Sequence, residues 1–125
     1  METLEKYLAI RTFVHETEKT NLVYGTSFSE FLILKAINAE AEAGIRRVDL
    51  AEQVGLTVSG VTRALAPLEK QGYIETLEEA SDARVRKVAM TKSGSELFKD
   101  MEKDVDRRMI VIHSKLHHML REVSI

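Results

Sequence analysis

The chain contains no cysteine. That excludes disulfides, cysteine-ligated zinc or iron–sulfur centres, and thiol-based redox sensing. Long apolar runs are also missing. Residues 31–34 and 109–112 are among the longest, and neither could span a bilayer. No secretory pattern precedes residue 20, so the expected location is the cytoplasm. No internal repeat and no linker rich in Gly, Pro and Ser divides the chain. The phosphate-cradling and nucleophile motifs of common enzymes are absent as well: no Walker A, no GxGxxG after a strand, no GxSxG, no HExxH. An enzyme is not expected.

What is present is 125 residues, enough for one domain with its own core, at 44% hydrophobic and 30% charged content. This is the composition of a globular protein, not of a disordered one. The net charge of −2 argues at first against nucleic acid, but it is unevenly spread. Residues 1–43 carry four basic and seven acidic side chains, residues 44–91 seven of each, and residues 92–125 seven and six. DNA responds to a local basic face rather than to the total. Arg84, Arg86 and Lys87 form one cluster, and Arg46 with Arg47 a second.

Residues 1–22 read as a helix with apolar residues on more than one face: Leu4, Tyr7, Leu8, Ile10, Phe13 and Val14. Ser27 and Glu30 fit a capping box before a second helix, expected to run through the Ala/Glu-rich segment 39–43 and stop at Gly44. A short helix follows over 48–54, with Leu50, Ala51 and Val54 inward. Gly55 and Leu56 turn the chain, and Thr57 caps the next helix. There Val61, Leu65 and Leu68 form one buried stripe. Pro67 removes the N–H that would bond to the Arg63 carbonyl, so a kink is expected with 68–71 continuing at a new angle. Strands over 73–77 and 85–90 flank a polar loop, 78–83. Thr91 caps a last helix that runs almost to the end, with Leu97, Phe98, Met101, Val105, Ile112, Leu116, Leu120 and Val123 recurring every three or four residues. The predicted fold is mainly α with a small β-wing (α+β): a winged helix-turn-helix at 26–91 flanked by dimerisation helices at 1–25 and 92–125, all within one domain, 1–125.

From residue 48 to about 98 the sequence resembles the MarR family of bacterial and archaeal winged-helix transcriptional regulators. The matching residues are Leu50-Ala51, Gly55-Leu56-Thr57, Val61-Thr62-Arg63, and Leu68-Glu69 with Gly72. After these come Asp82-x-Arg84 and Met90-Thr91-x-x-Gly94. Met90 stands where the family usually has Leu, and Ala83 where it often has Arg. The resemblance implies a homodimer with two DNA-reading heads on a helical base. It also implies a palindromic operator, often repression, and often release by a small aromatic ligand held between base and heads. Tyr24 and Phe28 are the candidates to line such a pocket.

The second helix of such a unit presents its N-terminal residues to base edges in the major groove. Here these are Thr57, Ser59, Gly60, Thr62 and Arg63, with Ser59 and Gly60 small enough for close approach. Arg63 can pair with guanine or bridge phosphates; the sequence leaves both open. In the wing, Arg84 would enter a narrow minor groove with Asp82 holding its guanidinium, while Arg86 and Lys87 contact backbone and Glu78 and Glu79 point away. His113 and His117 share a helix face at metal-binding spacing, and the resemblance includes zinc sensors that use such a pair. His15, Glu16 and Glu30 are the available helpers, but two ligands do not make a site, and exposed histidines are the preferred reading. No cofactor is required. The expected partners are double-stranded DNA, a second copy and a small-molecule effector, with no membrane. The competing readings are a winged-helix protein–protein adaptor and a zinc-responsive regulator. Asp100, Asp104 and Asp106 read as a solvated, ion-paired face.

Overall fold

A computed structural model of the chain describes residues 1–79 and 82–122, apart from the side chains of 79 and 82–85. The helices are α1 (Glu2–Glu18), α2 (Phe28–Ala39), α3 (Arg47–Val54), α4 (Val58–Lys70) and α5 (Lys92–Glu122). Three strands, β1 (Ile45–Arg46), β2 (Ile74–Glu79) and β3 (Asp82–Met90), form an antiparallel sheet in the order β1-β3-β2. The chain divides into two units. One comprises residues 1–29 with 101–125 and the other residues 30–100, so the boundaries fall inside α2 and α5.

The 30–100 unit is built on apolar stripes that the sequence shows. Ile33, Leu34 and Ile37 of α2, Leu50 and Ala51 of α3, and Val61, Leu65 and Leu68 of α4 are all buried. Phe31 stacks on Phe98 with ring centroids 5.5 Å apart, so an aromatic pair closes this core. The wing pairs Ile74 with Met90, Thr76 with Val88 and Glu78 with Arg86. The pairing continues to Glu79 and Asp82 past an irregularity. The hairpin is therefore longer than its hydrophobic pattern implies.

The fold departs from the sequence pattern at two places. The second helix does not run to Gly44: α2 ends at Ala39, and a separate 3-10 turn, Ala41–Ala43, begins with Ala41 at φ +51°. Alanine propensity alone could not carry the helix across that left-handed residue. A third strand is present where the sequence suggests none. β1 is only two residues long, too short for a period, and is fixed by Ile45 and Arg46 pairing with Val88 and Lys87. The helix α4 is continuous from Val58 to Lys70, with Pro67 inside it. Pro67 and Arg63 are both exposed, so water can satisfy the carbonyl that proline leaves without an N–H.

Two glycines hold the wing unit in register for different reasons. Gly55 ends α3 in left-handed backbone at φ +71°, which turns the chain within two residues toward α4. Gly94, in the first turn of α5, lies against the Tyr73 carbonyl, where a Cβ would overlap the oxygen. Thr91 tightens the same junction. Its hydroxyl donates to the Gly72 carbonyl at 2.6 Å and accepts from the Gly94 amide at 3.1 Å.

In the other unit, α1 buries no residue at all. Leu4, Tyr7, Leu8, Ile10 and Val14 remain exposed, as do Ile110 and Val111 of α5. A groove of 530 Å³ is lined by Leu8, Ala9, Thr12, Phe13 and Glu16 of α1 with Lys115 and Met119 of α5. No helix among the described residues is long and apolar enough to cross a membrane.

Candidate nucleic-acid interface

The helix-turn-helix is assembled by local chemistry. The Leu56 amide closes the end of α3 on the Ala51 carbonyl at 3.0 Å. Thr57 follows in extended backbone, and its hydroxyl accepts from the Gly60 amide at 3.0 Å, satisfying one of the free N–H groups at the start of α4. The missing Cβ of Gly60 makes room for that cap. A Cβ there would stand 3.2 Å from the Thr57 hydroxyl and 3.8 Å from Leu56.

Because Val61, Leu65 and Leu68 turn one side of α4 into the core, its opposite side is held outward. Ser59, Thr62 and Arg63 are all exposed there. Together with Val58 they line an open depression of 510 Å³ at the helix N-terminus. The backbone dipole of α4 adds partial positive charge at this end. A guanidinium, two hydroxyls and a helix N-terminus thus share one outward surface. Val58 is the residue that sequence reasoning omitted. By spacing it continues the Val61-Leu65-Leu68 stripe at i−3, yet it is 45% exposed and lines the depression.

The wing distributes its charge differently from the sequence reading. Glu78 faces one member of the basic cluster. It lies opposite Arg86 across the hairpin, with a carboxylate oxygen 3.7 Å from the guanidinium, and both side chains are exposed. Lys87 is half-buried and occupies the other face of β3, since successive strand residues alternate. There it lines a polar crevice of 340 Å³ with Arg46, Asp49, Glu40 and Glu52. Arg46 is held by Asp49 at 3.0 Å. Arg86 and Lys87 therefore do not share one surface. The side chains of Asp82 and Arg84 lie outside the described residues.

The remaining candidates fall in the other unit, with the exception of Glu30. Tyr24 is exposed on a short 3-10 turn, Val23–Gly25, with its backbone at φ +59°, and Phe28 is half-buried at the start of α2. The rings of His113 and His117 stack with centroids 6.4 Å apart. Among the described residues no group of three or more His, Cys, Asp or Glu side chains could hold a metal ion. Glu16 instead pairs with Lys19 at 3.6 Å.

Asp104 overturns the reading of a solvated acidic face. It is buried, and its carboxylate accepts from the Val23 amide at 2.9 Å, from Arg108 at 3.2 Å and from Arg107 at 3.5 Å. Burial opposes its ionisation. The Arg108 hydrogen bond, the Val23 amide and the charges of Arg108 and Arg107 outweigh that penalty and hold the carboxyl below its ordinary value. The signal was present: Asp104 falls on the Leu97, Met101, Val105 stripe rather than opposite it.

Comparison with known proteins agrees with this geometry. A family model described as winged helix-turn-helix DNA-binding matches residues 29–75. The chain is 25% identical over 119 residues to the HTH-type transcriptional regulator SarZ of Staphylococcus haemolyticus, covering 86% of this chain and 77% of that protein. Its fold is similar to that of S. aureus MepR in a DNA complex, with a TM-score of 0.76, 22% identity, and coverage of 89% of this chain and 83% of that one. It is also similar to the Multiple Antibiotic Resistance Repressor, MarR, with a TM-score of 0.68, 20% identity, and coverage of 91% and 79%.

Proposed function

We propose, for a chain that is a winged helix-turn-helix transcriptional regulator of the MarR type, that it acts as a homodimeric repressor on a palindromic operator. The observation that carries the reading is the outward face at the start of α4, where Ser59, Thr62 and Arg63 stand exposed beside a capped helix N-terminus. A major groove admits such a helix, and donors on its first turns reach base edges. β2 and β3 extend as the wing, and Arg84 is the residue assigned to the minor groove.

The dimer is supported by the apolar surface that α1 and the second half of α5 leave exposed. Tyr7, Leu8, Ile10, Val14 and Ile110 lie in helices rather than scattered over loops. A second copy of the same surface is the simplest cover, because a two-fold interface is self-complementary. The dimer works in the cytoplasm. Release by a small aromatic ligand that contacts Tyr24 and Phe28 is the regulatory part of the proposal.

The test is recovery of bound genomic DNA with the full chain. A palindromic footprint near a promoter, bound by two chains, is the expected result. Binding to a protein partner with no dependence on DNA or salt would favour the adaptor reading instead.

A further inference from the structure

The start of α4 carries an apolar side chain that the core leaves half exposed. Val58 is the first residue of the helix and is 45% exposed, whereas Val61 and Leu65 are fully buried and Leu68 nearly so. A first-turn position favours acidic residues or proline, since the dipole there is positive and proline lacks an N–H that would go unused. Valine serves neither the dipole nor the unused N–H. Thr62, one turn on along the same flank, is exposed too, and both line the depression that holds Ser59 and Arg63.

We infer that Val58, continued by Thr62, determines specificity by reading thymine through its C5-methyl group, beside the position read by Arg63. This rests on the reading of α4 as the DNA-recognition helix. In the major groove, thymine presents an O4 acceptor and a methyl, whereas cytosine presents a polar amino donor. Valine has neither donor nor acceptor. It gains only where the base offers an apolar group, and it leaves a polar group desolvated and unpaired elsewhere. Burying one methyl is worth ~0.8 kcal/mol, about fourfold in affinity.

The test uses the full chain and a duplex recovered with it from a randomised pool. Each thymine of the bound site is replaced in turn by deoxyuridine, which removes the methyl and leaves every hydrogen-bonding group in place. At one or more positions the unchanged chain should bind about fourfold more weakly to the uracil duplex. At one or more of these positions Val58→Ser should bind the thymine and uracil duplexes alike, whereas Val58→Thr, which keeps a methyl, should retain the preference. Val58 is exposed, and matched thermal melts will verify that both variants fold. Two results would overturn the inference: no thymine at which uracil weakens binding, or full uracil sensitivity persisting in Val58→Ser. If the pool yields no bound duplex at all, the recognition-helix reading itself fails and takes this inference with it.

Discussion

The amide of Val23 donates to the carboxylate of Asp104 at 2.9 Å, joining residues 81 positions apart. The bond holds a small closed loop. Asn21 bridges to Ser27, Leu22 donates to the Thr26 carbonyl at 2.8 Å, and the Thr26 hydroxyl donates to the Val23 carbonyl at 2.6 Å. Tyr24 is kept in left-handed backbone within it. Asp104→Ala should leave the Val23 amide without its acceptor and destabilise the chain by about 1–3 kcal/mol, read as a lowered midpoint in chemical denaturation.

Acid should act on the same carboxyl. The folded value of Asp104 lies below its ordinary one, so the folded chain binds this proton less readily than the unfolded chain. Its contribution is fully present above the unfolded value, about pH 4, and is lost as pH falls through the folded value. Denaturation midpoints measured from pH 6 downward should fall in the native chain, and Asp104→Asn should remove this component of the fall.

Gly94→Ala should be more damaging than an ordinary glycine-to-alanine change in a helix, which would stabilise it. The added Cβ meets the Tyr73 carbonyl, part of the backbone that also receives the Thr91 amide at 3.1 Å. Relief requires the start of α5 to move off the base of the wing. A loss of about 3 kcal/mol is expected in denaturation, the upper range for overpacking.

The Thr57 cap should be visible in stability alone. Thr57→Ala should cost about 1 kcal/mol of stability by freeing the Gly60 amide, and Thr57→Ser should restore most of it. Thermal melts of the two variants measure this. Equal melting of both variants would mean the hydroxyl is not needed to start α4.

Much of the helix-turn-helix is legible in the sequence because its signals are local. The Thr57 cap, the Gly55 turn and the Val61-Leu65-Leu68 stripe each need only a few neighbouring residues to read. What was not legible depends on distant partners. Asp104 looks like one more charge among Lys103, Arg107 and Arg108 until Val23 is brought to it. Glu78 reads as a residue to be turned away until the hairpin register sets it opposite Arg86. β1 exists only because β3 offers an edge to two residues. The end of α2 is hidden in the sequence because alanine-rich composition reports helix propensity and not the left-handed residue at Ala41.

The Glu78–Arg86 pair gives a test of the wing. Glu78→Gln removes a negative charge from the exposed hairpin and releases Arg86 for phosphate. Affinity for non-specific duplex at low salt should rise, and the salt slope should steepen by about one unit, the value for one added phosphate contact. An unchanged slope would place Arg86 away from the DNA.

The central claim is that the outward face of α4 reads DNA. Its most direct measurement is equilibrium binding of the full chain to its recovered operator over a range of salt, compared with Arg63→Ala. Affinity is expected to fall steeply with salt, and Arg63→Ala to weaken operator binding by about 1–3 kcal/mol while its melting temperature is unchanged. A flat salt dependence, or an Arg63→Ala variant that binds the operator as tightly as the native chain, would contradict it.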